Sequence, residues 1–328
     1  MPMQAVAFTQ TGTPDVLRVL DVTDPTPGPG QVRIQVKVSG VNFRDIGVRR
    51  DATNEGSTVP QPVVTGIEAS GVVESLGAGV SHLRVGQRVA TICQGGGYGG
   101  LLVVPAAQVV SLPDSVTDQV GGSFAMTGFT AWHLLHTMAQ VQPGDTILVH
   151  AAAGGVGIML SQLAKRNGVT VIGTVGSDDK VATAKRFGAD QVINYRRDNF
   201  AQAVLDLTGG RGVDTVFDAV GAATVVDDTK ALKTFGLLVS FGGASGQAQL
   251  SAAELRPKSL RWGWFGVFNA YSQPDVWARG VANLVPLIAS GAVDPYITGV
   301  YGREQAPEAH RLLEGRLTQG KLVLVHPN

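Results

Sequence analysis

Hydrophobic and polar positions alternate in short runs over the first third of the chain and then settle into a longer, regular rhythm. QVRIQVKVSGV (31–41), ASGVVESLG (69–77) and QRVATI (87–92) read as β-strands, separated by the turn-forming stretches PTPGPG and GAGVSHLRVG. They predict a glycine-rich, mostly β domain over residues 1–122. From residue 146 strand-like runs alternate with helical patterns. TILVHA precedes a helix over 155–165, VTVIGTV one over 178–187, QVINY one around NFAQAVLDL, VDTVFDAV one around VVDDTKALK, and LLVSFG closes the series. Five strands alternating with four helices predict an α/β, doubly wound parallel sheet over residues 123–266. Within it, Ser177 is placed to cap the second helix, Asp178 and Asp179 favour its positive end, and Gly188 supplies the left-handed stop. LRWGWFGVF is a candidate sixth strand at the sheet edge. Helices near VWARGVANLVPLIASG and APEAHRLLEGR follow, and the last strand, KLVLV, returns with residues 267–328 to the first domain.

The 328 residues hold 26 basic and 26 acidic side chains, so the charge footprint of a nucleic-acid or anionic-membrane binder is missing. A hydrophobic fraction of 44% in a chain this long supports a substantial core. Glycine is abundant, at 43 residues, which implies many tight turns or close backbone approaches. Cys93 is the sole cysteine, which excludes an intrachain disulfide and any zinc site built from several cysteines. It fits a reducing, cytoplasmic setting. The start, MPMQAVAFTQ, lacks the basic and apolar regions of a signal peptide. Residues 146–164 form the longest uncharged apolar stretch, but AAAGGVG after His150 breaks it into strand, turn and helix, so no membrane partner is expected.

That break is the most informative motif. Ala151 to Gly157 read A-A-A-G-G-V-G, with small residues at Ala152, Gly154 and Gly157 where G-x-G-x-x-G has glycines. Small residues let the backbone approach a pyrophosphate, which the free amides and dipole at the helix start stabilise. A fold of this kind that prefers NAD places an acid about 20 residues on, to hold ribose hydroxyls. Counting from Gly154 reaches Thr174, with no carboxylate at the strand end. Ser177, Lys180 and Tyr195 are instead candidates to hold a 2′-phosphate, so NADPH is the expected cofactor.

GVNFRDI, TGIEASGVVESLGAGVSHLRVGQRVA, GFTAWHLL, LVHAAAGGVG and GTVGSDDKVATAKRFGADQVINYR together closely resemble the medium-chain dehydrogenase/reductase superfamily. The likeness is to its zinc-free, zeta-crystallin-like quinone oxidoreductase branch, and it runs in order along essentially the whole chain. It implies a GroES-like catalytic domain, a Rossmann domain, a homodimer and NADPH-dependent reduction of quinones or other conjugated carbonyls. It further implies that Asn42 lies near the nicotinamide ribose, Thr130 near the carboxamide and Gly154, Gly155 and Val156 at the pyrophosphate. Ser177, Lys180 and Tyr195 would take the 2′-phosphate, Val220, Phe241 and Gly242 would line the crevice, and Arg316 would close over the cofactor, a role Lys321 could share.

Zinc alcohol dehydrogenases of this superfamily carry a cysteine at the position of Asn42 and a histidine at that of Ile67, so no metal is expected. His133 and His136 read as ordinary helix residues. Two departures weaken the substrate assignment: Gly47 replaces a frequent tyrosine, and QGGGYGG retains Tyr98 but not the acid of the usual Gly-x-Tyr-Ala-Glu run. Asn42, Arg44 and Tyr98 are the candidate cleft residues, and Arg49 and Arg50 are further candidates to recognise an anionic acceptor. An enoyl-thioester reductase with Tyr98 as proton donor, a zinc-free alcohol oxidoreductase and a non-catalytic NADPH-binding protein remain as alternatives.

Overall fold

The computed structural model describes residues 2–50 and 58–327. Contacts divide the chain into two units, residues 1–126 with 285–328, and residues 127–284. The first unit carries β1 (Met3–Gln10), β2 (Arg18–Val22), β3 (Gln31–Val41), α1 (Phe43–Arg50), β4 (Thr58–Val64), β5 (Glu68–Leu76), β6 (Arg88–Ile92), β7 (Leu101–Pro105), β8 (Val109–Ser111) and the start of α2 (Asp118–His133). The second carries β9 (Thr146–Val149), α3 (Gly155–Arg166), β10 (Thr170–Val175), α4 (Val181–Arg186), β11 (Gln191–Asn194), α5 (Phe200–Leu207), β12 (Val213–Asp218) and α6 (Val225–Ala231). It continues through β13 (Leu232–Ser240), α7 (Ala252–Leu255), β14 (Arg261–Trp264), α8 (Val267–Tyr271) and most of α9 (Pro274–Ala289). The chain then re-enters the first unit with β15 (Ile297–Gly302), α10 (Ala306–Glu314) and β16 (Lys321–Val325).

In the first unit, β3 alternates Val32, Ile34 and Val36 into a core shared with Val73, Val89 and Leu102. The alternation suits strands with one buried face. KLVLV forms β16, between β15 and β3, which explains why it is almost wholly buried. The second unit is a parallel sheet in the order β11-β10-β9-β12-β13-β14. This is the doubly wound order 3-2-1-4-5-6, whose direction of winding reverses between β9 and β12. Its central strands β9 and β12 are almost wholly buried because both faces are covered.

The structure differs from the sequence pattern where local geometry intervenes. The helix after β10 opens as a tight turn over residues 178–180, and Ser177 stands at the cap position without its side chain accepting a backbone amide. Gly188 does stop that helix, with φ +112°. β13 begins at Leu232, five residues before LLVSFG, and Phe235 within it adopts φ +65°. Of LRWGWFGVF, only Arg261–Trp264 pairs with the sheet. The second unit runs to residue 284 instead of 266, because α9 packs Trp277 against Phe129 at 4.3 Å and stacks it near His133.

Candidate active site

The loop from Ala151 to Gly157 connects β9 to α3 as the glycine pattern predicts. Gly154 occupies the cap position in extended conformation, and α3 starts at Gly155. A Cβ on Gly157 would lie 2.4 Å from the Ala151 carbonyl oxygen, so only glycine lets the helix start this close to its own loop. Gly154, Gly155 and Val156 remain half-buried, with their amides at the positive end of a three-turn helix. The chain thus builds a cradle that fits a pyrophosphate.

The neighbouring loop, after β10, carries Ser177 and Lys180, and Tyr195 lies beside its Gly176. Tyr195 follows β11, its amide bonded to the Val175 carbonyl, and a Cβ on Gly176 would meet its hydroxyl at 2.6 Å. Asp178 accepts from the Asn194 side-chain amide at 2.9 Å, and the Ser177 hydroxyl bonds Asp179 and holds that carboxyl below its usual range. No carboxylate ends β10, and the two acids of the loop, Asp178 and Asp179, are bonded to Asn194 and Ser177. At the carboxyl ends of β12 and β13, Val220, Phe241 and Gly242 are half-buried, and the Asp218 carboxylate takes the Val220 amide at 2.7 Å. The Asp218 carbonyl takes the Phe241 amide at 2.9 Å. Thr130 is buried on α2.

Thr174 takes a different task. It is fully buried, and its hydroxyl is bonded to His150 Nδ1 at 2.8 Å, so it belongs to the sheet and not to a ligand surface.

In the first unit, Asn42 sits between two buried networks. Its side-chain amide donates to Glu68 at 3.1 Å and to the Gly40 carbonyl at 3.2 Å, while Lys321 donates to its Oδ1 at 2.8 Å and to Glu68 Oε2 at 2.8 Å. The Met126 amide bonds the other Glu68 oxygen. Lys321 is therefore an internal ion-pair partner, only 3% exposed, and does not share the role expected of Arg316. A zinc ion does not fit these residues. Ile67 offers no donor atom, the Asn42 amide is engaged at both ends, and Glu68 already binds a cation.

On its other side, the Asn42 backbone amide donates to Asp45 Oδ2 at 2.8 Å, which also accepts from the Tyr98 hydroxyl at 3.1 Å. Tyr98 Oη further pairs with His310 Nε2 at 3.1 Å. Tyr98 is 0% exposed and its pKa is pushed well up by burial, which removes it as a cleft residue and proton donor. Arg49 is equally buried, bonded to Glu314 at 2.5 Å, and Arg50 pairs with the same carboxylate, so neither is placed to recognise a substrate anion. Arg44 is exposed and donates to Gln94 at 2.9 Å. Arg316 is exposed in a left-handed conformation, φ +57°.

The sequence reading missed the partners of these residues. Glu68 and Asp218 each stand as a charge among largely apolar neighbours, a signal that would have found them, whereas Asp228, beside Asp227 and Lys230, and Lys321, after Thr318, Gln319 and Gly320, carry no such signal. Among the described residues, His150, Asp218 and Asp228 form a group whose possible ligand atoms lie within 4.8 Å of one another. All three are already hydrogen-bonded within the fold.

A family model described as zinc-binding dehydrogenase matches residues 155–284, and one described as alcohol dehydrogenase GroES-like domain matches residues 28–114. The chain is 33% identical to a 2-haloacrylate reductase of a Burkholderia species, over 98% of this chain and 99% of that protein. It is 35% identical to a quinone oxidoreductase of Salmonella typhimurium, over 98% of each. The crystal structure of Escherichia coli quinone oxidoreductase complexed with NADPH superposes with a TM-score of 0.91 at 31% identity, covering 98% of this chain and 99% of that one. The chain belongs to the medium-chain dehydrogenase/reductase superfamily. Within that superfamily it falls in the quinone oxidoreductase branch.

Proposed function

We propose that this protein uses NADPH to reduce a quinone or another α,β-unsaturated carbonyl compound, without a metal. The observation that carries the reading is the pair of adjoining loops after β9 and β10, one shaped for a pyrophosphate and the other reached from a strand whose end carries no carboxylate for the ribose hydroxyls. The relatives named as quinone oxidoreductases and as a 2-haloacrylate reductase support it, as does the NADPH complex of a structural neighbour.

Bound NADPH supplies the hydride. The chain binds and orients it: the amides of Gly154, Gly155 and Val156 receive the pyrophosphate, and Ser177, Lys180 and Tyr195 surround the 2′-phosphate. Val220, Phe241 and Gly242 line the crevice beside the strand ends, with Thr130 on α2. Hydride added to a quinone or enone leaves charge that spreads onto oxygen, so orientation and exclusion of water suffice where an alcohol would need a Lewis acid. The burial of Tyr98 removes the proton donor on which the enoyl-thioester reading depended.

Initial rates with quinones, enones, enoyl-thioesters and primary alcohols test this, using NADPH or NADH for the reductions, NADP⁺ or NAD⁺ for the alcohols, and a chelator throughout. Quinone or enone turnover favouring NADPH is expected. Alcohol oxidation, a preference for NADH, or tight cofactor binding with no turnover of any acceptor would each overturn the proposal.

We also propose a homodimer formed by pairing of β14 with its copy. Among the described residues β14 pairs only with β13, and Trp264 stands exposed at its end.

A further inference from the structure

His150 follows β9 immediately before the phosphate loop, and both of its ring nitrogens are engaged. Nδ1 is bonded to Thr174 Oγ1 at 2.8 Å, on β10, and Nε2 to Asp228 Oδ1 at 2.7 Å, on α6. The His150 amide donates to the Phe217 carbonyl of β12 at 3.1 Å, and Phe200 meets the ring edge-on at 4.9 Å. His150, Thr174 and Asp228 are all buried. Well-packed apolar residues of similar volume usually stabilise such a position at least as well as a buried ion pair, so stability does not account for the arrangement.

Its position does. Ala151, the next residue, holds φ +52°, a left-handed conformation that alanine avoids. The Ala151 carbonyl is thereby turned beneath the first turn of α3, where it accepts the Gly154 amide at 2.8 Å. Ala152 then donates its amide to the Thr174 carbonyl at 3.0 Å. The strained residue is thus bracketed. Thr174 holds the His150 ring before it and the Ala152 amide after it, and Asp228 holds the ring from the far side.

We propose that His150, clamped between Thr174 and Asp228, is a positioning residue for the dinucleotide, fixing the phosphate loop so that the amides of Gly154 to Val156 meet the pyrophosphate. The inference rests on the NADPH reading given above. Asp218 ties the same cluster to the crevice, since it holds the amides of Val220 and Gly221 and the Thr224 hydroxyl. Burial alone would lower the pKa of His150, but the adjacent Asp228 and then Asp218 leave it raised. Burial pushes Asp228 up to about 6, and Asp218 and Asp227 add to the rise. Below that pH, Asp228 takes up a proton and the charged tie to the ring is lost.

The test is NADPH titration of the full chain beside thermal melting. His150→Phe/Asp228→Leu removes both polar partners without stranding a charge. Its melting temperature is expected to hold or rise, while Kd for NADPH increases about tenfold or more and KM rises by more than kcat falls. A merely structural role would move stability and affinity together. Asp228→Asn keeps an acceptor for the ring but cannot titrate, so the ratio of its Kd to that of wild type is expected to shrink as pH falls below about 6. The 2′-phosphate itself titrates near pH 6 in both proteins, which is why the ratio is read.

Thr174→Val serves if the double variant does not fold, with a several-fold rise in Kd expected. An unchanged Kd in a folded variant, or a ratio independent of pH, overturns the clamp alone. Failure of the wild type to bind NADPH overturns the function proposed above.

Discussion

Asp45 shows how much a single carboxyl can hold in place. It receives the Asn42 amide and the Tyr98 hydroxyl, and burial lifts its pKa to about 7 from an ordinary 3.8. The folded chain therefore keeps a proton that the unfolded chain releases from about pH 4 upward, and the stability due to this group is lost as pH rises towards 7. Asp45→Asn preserves the acceptor and removes the titration. Urea denaturation should show the variant gaining on wild type by on the order of 1–3 kcal/mol between about pH 5 and pH 8. A difference independent of pH would contradict a titrating Asp45. Little of this network was legible in the sequence. Asn42 was singled out, but its partners lie 26 and 279 residues away, and spacing along a chain carries no trace of such pairings. Tyr98 was singled out because QGGGYGG retains the tyrosine of the family's run. A distant glycine lets the backbone come close enough to bury it: a Cβ on Gly66 would lie 2.3 Å from its ring.

The strands and helices of the second unit were far easier to read, because each βα repeat joins an apolar run to an amphipathic one. Their ends were less clear. Ser177 has the chemistry of a cap, but the tight turn at 178–180 and the bond to Asp179 direct its hydroxyl elsewhere. At the sheet edge, β14 combines an outer strand with Trp264 52% exposed. If copies pair there, Trp264→Glu places two carboxylates in one apolar seam. Light scattering at micromolar concentration should then report a dimer for wild type and a monomer for the variant. A wild-type monomer would refute the pairing.

Across the whole molecule, the shift from turn-rich β texture to regular alternation revealed two units before any coordinates did. It did not reveal where they divide. The divisions fall inside α2 and α9, where the helical pattern continues and marks no boundary. Because the cradle belongs to the native state, NADPH should stabilise the chain by mass action. A hundredfold excess over Kd contributes about 2.7 kcal/mol, or several degrees in melting temperature. A calorimetric scan with NADPH, NADH and neither should rank the three in that order of stability, and equal shifts for both cofactors would argue against recognition of the 2′-phosphate.

The Glu68 cluster also constrains how this sequence can drift. Gly40 leaves no room for a side chain, since a Cβ there would lie 2.1 Å from Glu68 Oε2. Loss of Lys321 strands a buried carboxylate, and loss of Glu68 strands a buried ammonium. Descendants of this chain can therefore trade these residues only in concert. Asn42 is drawn into the same exchange because its amide is oriented by both charges. The cluster behaves as one heritable unit, replaced whole or kept whole.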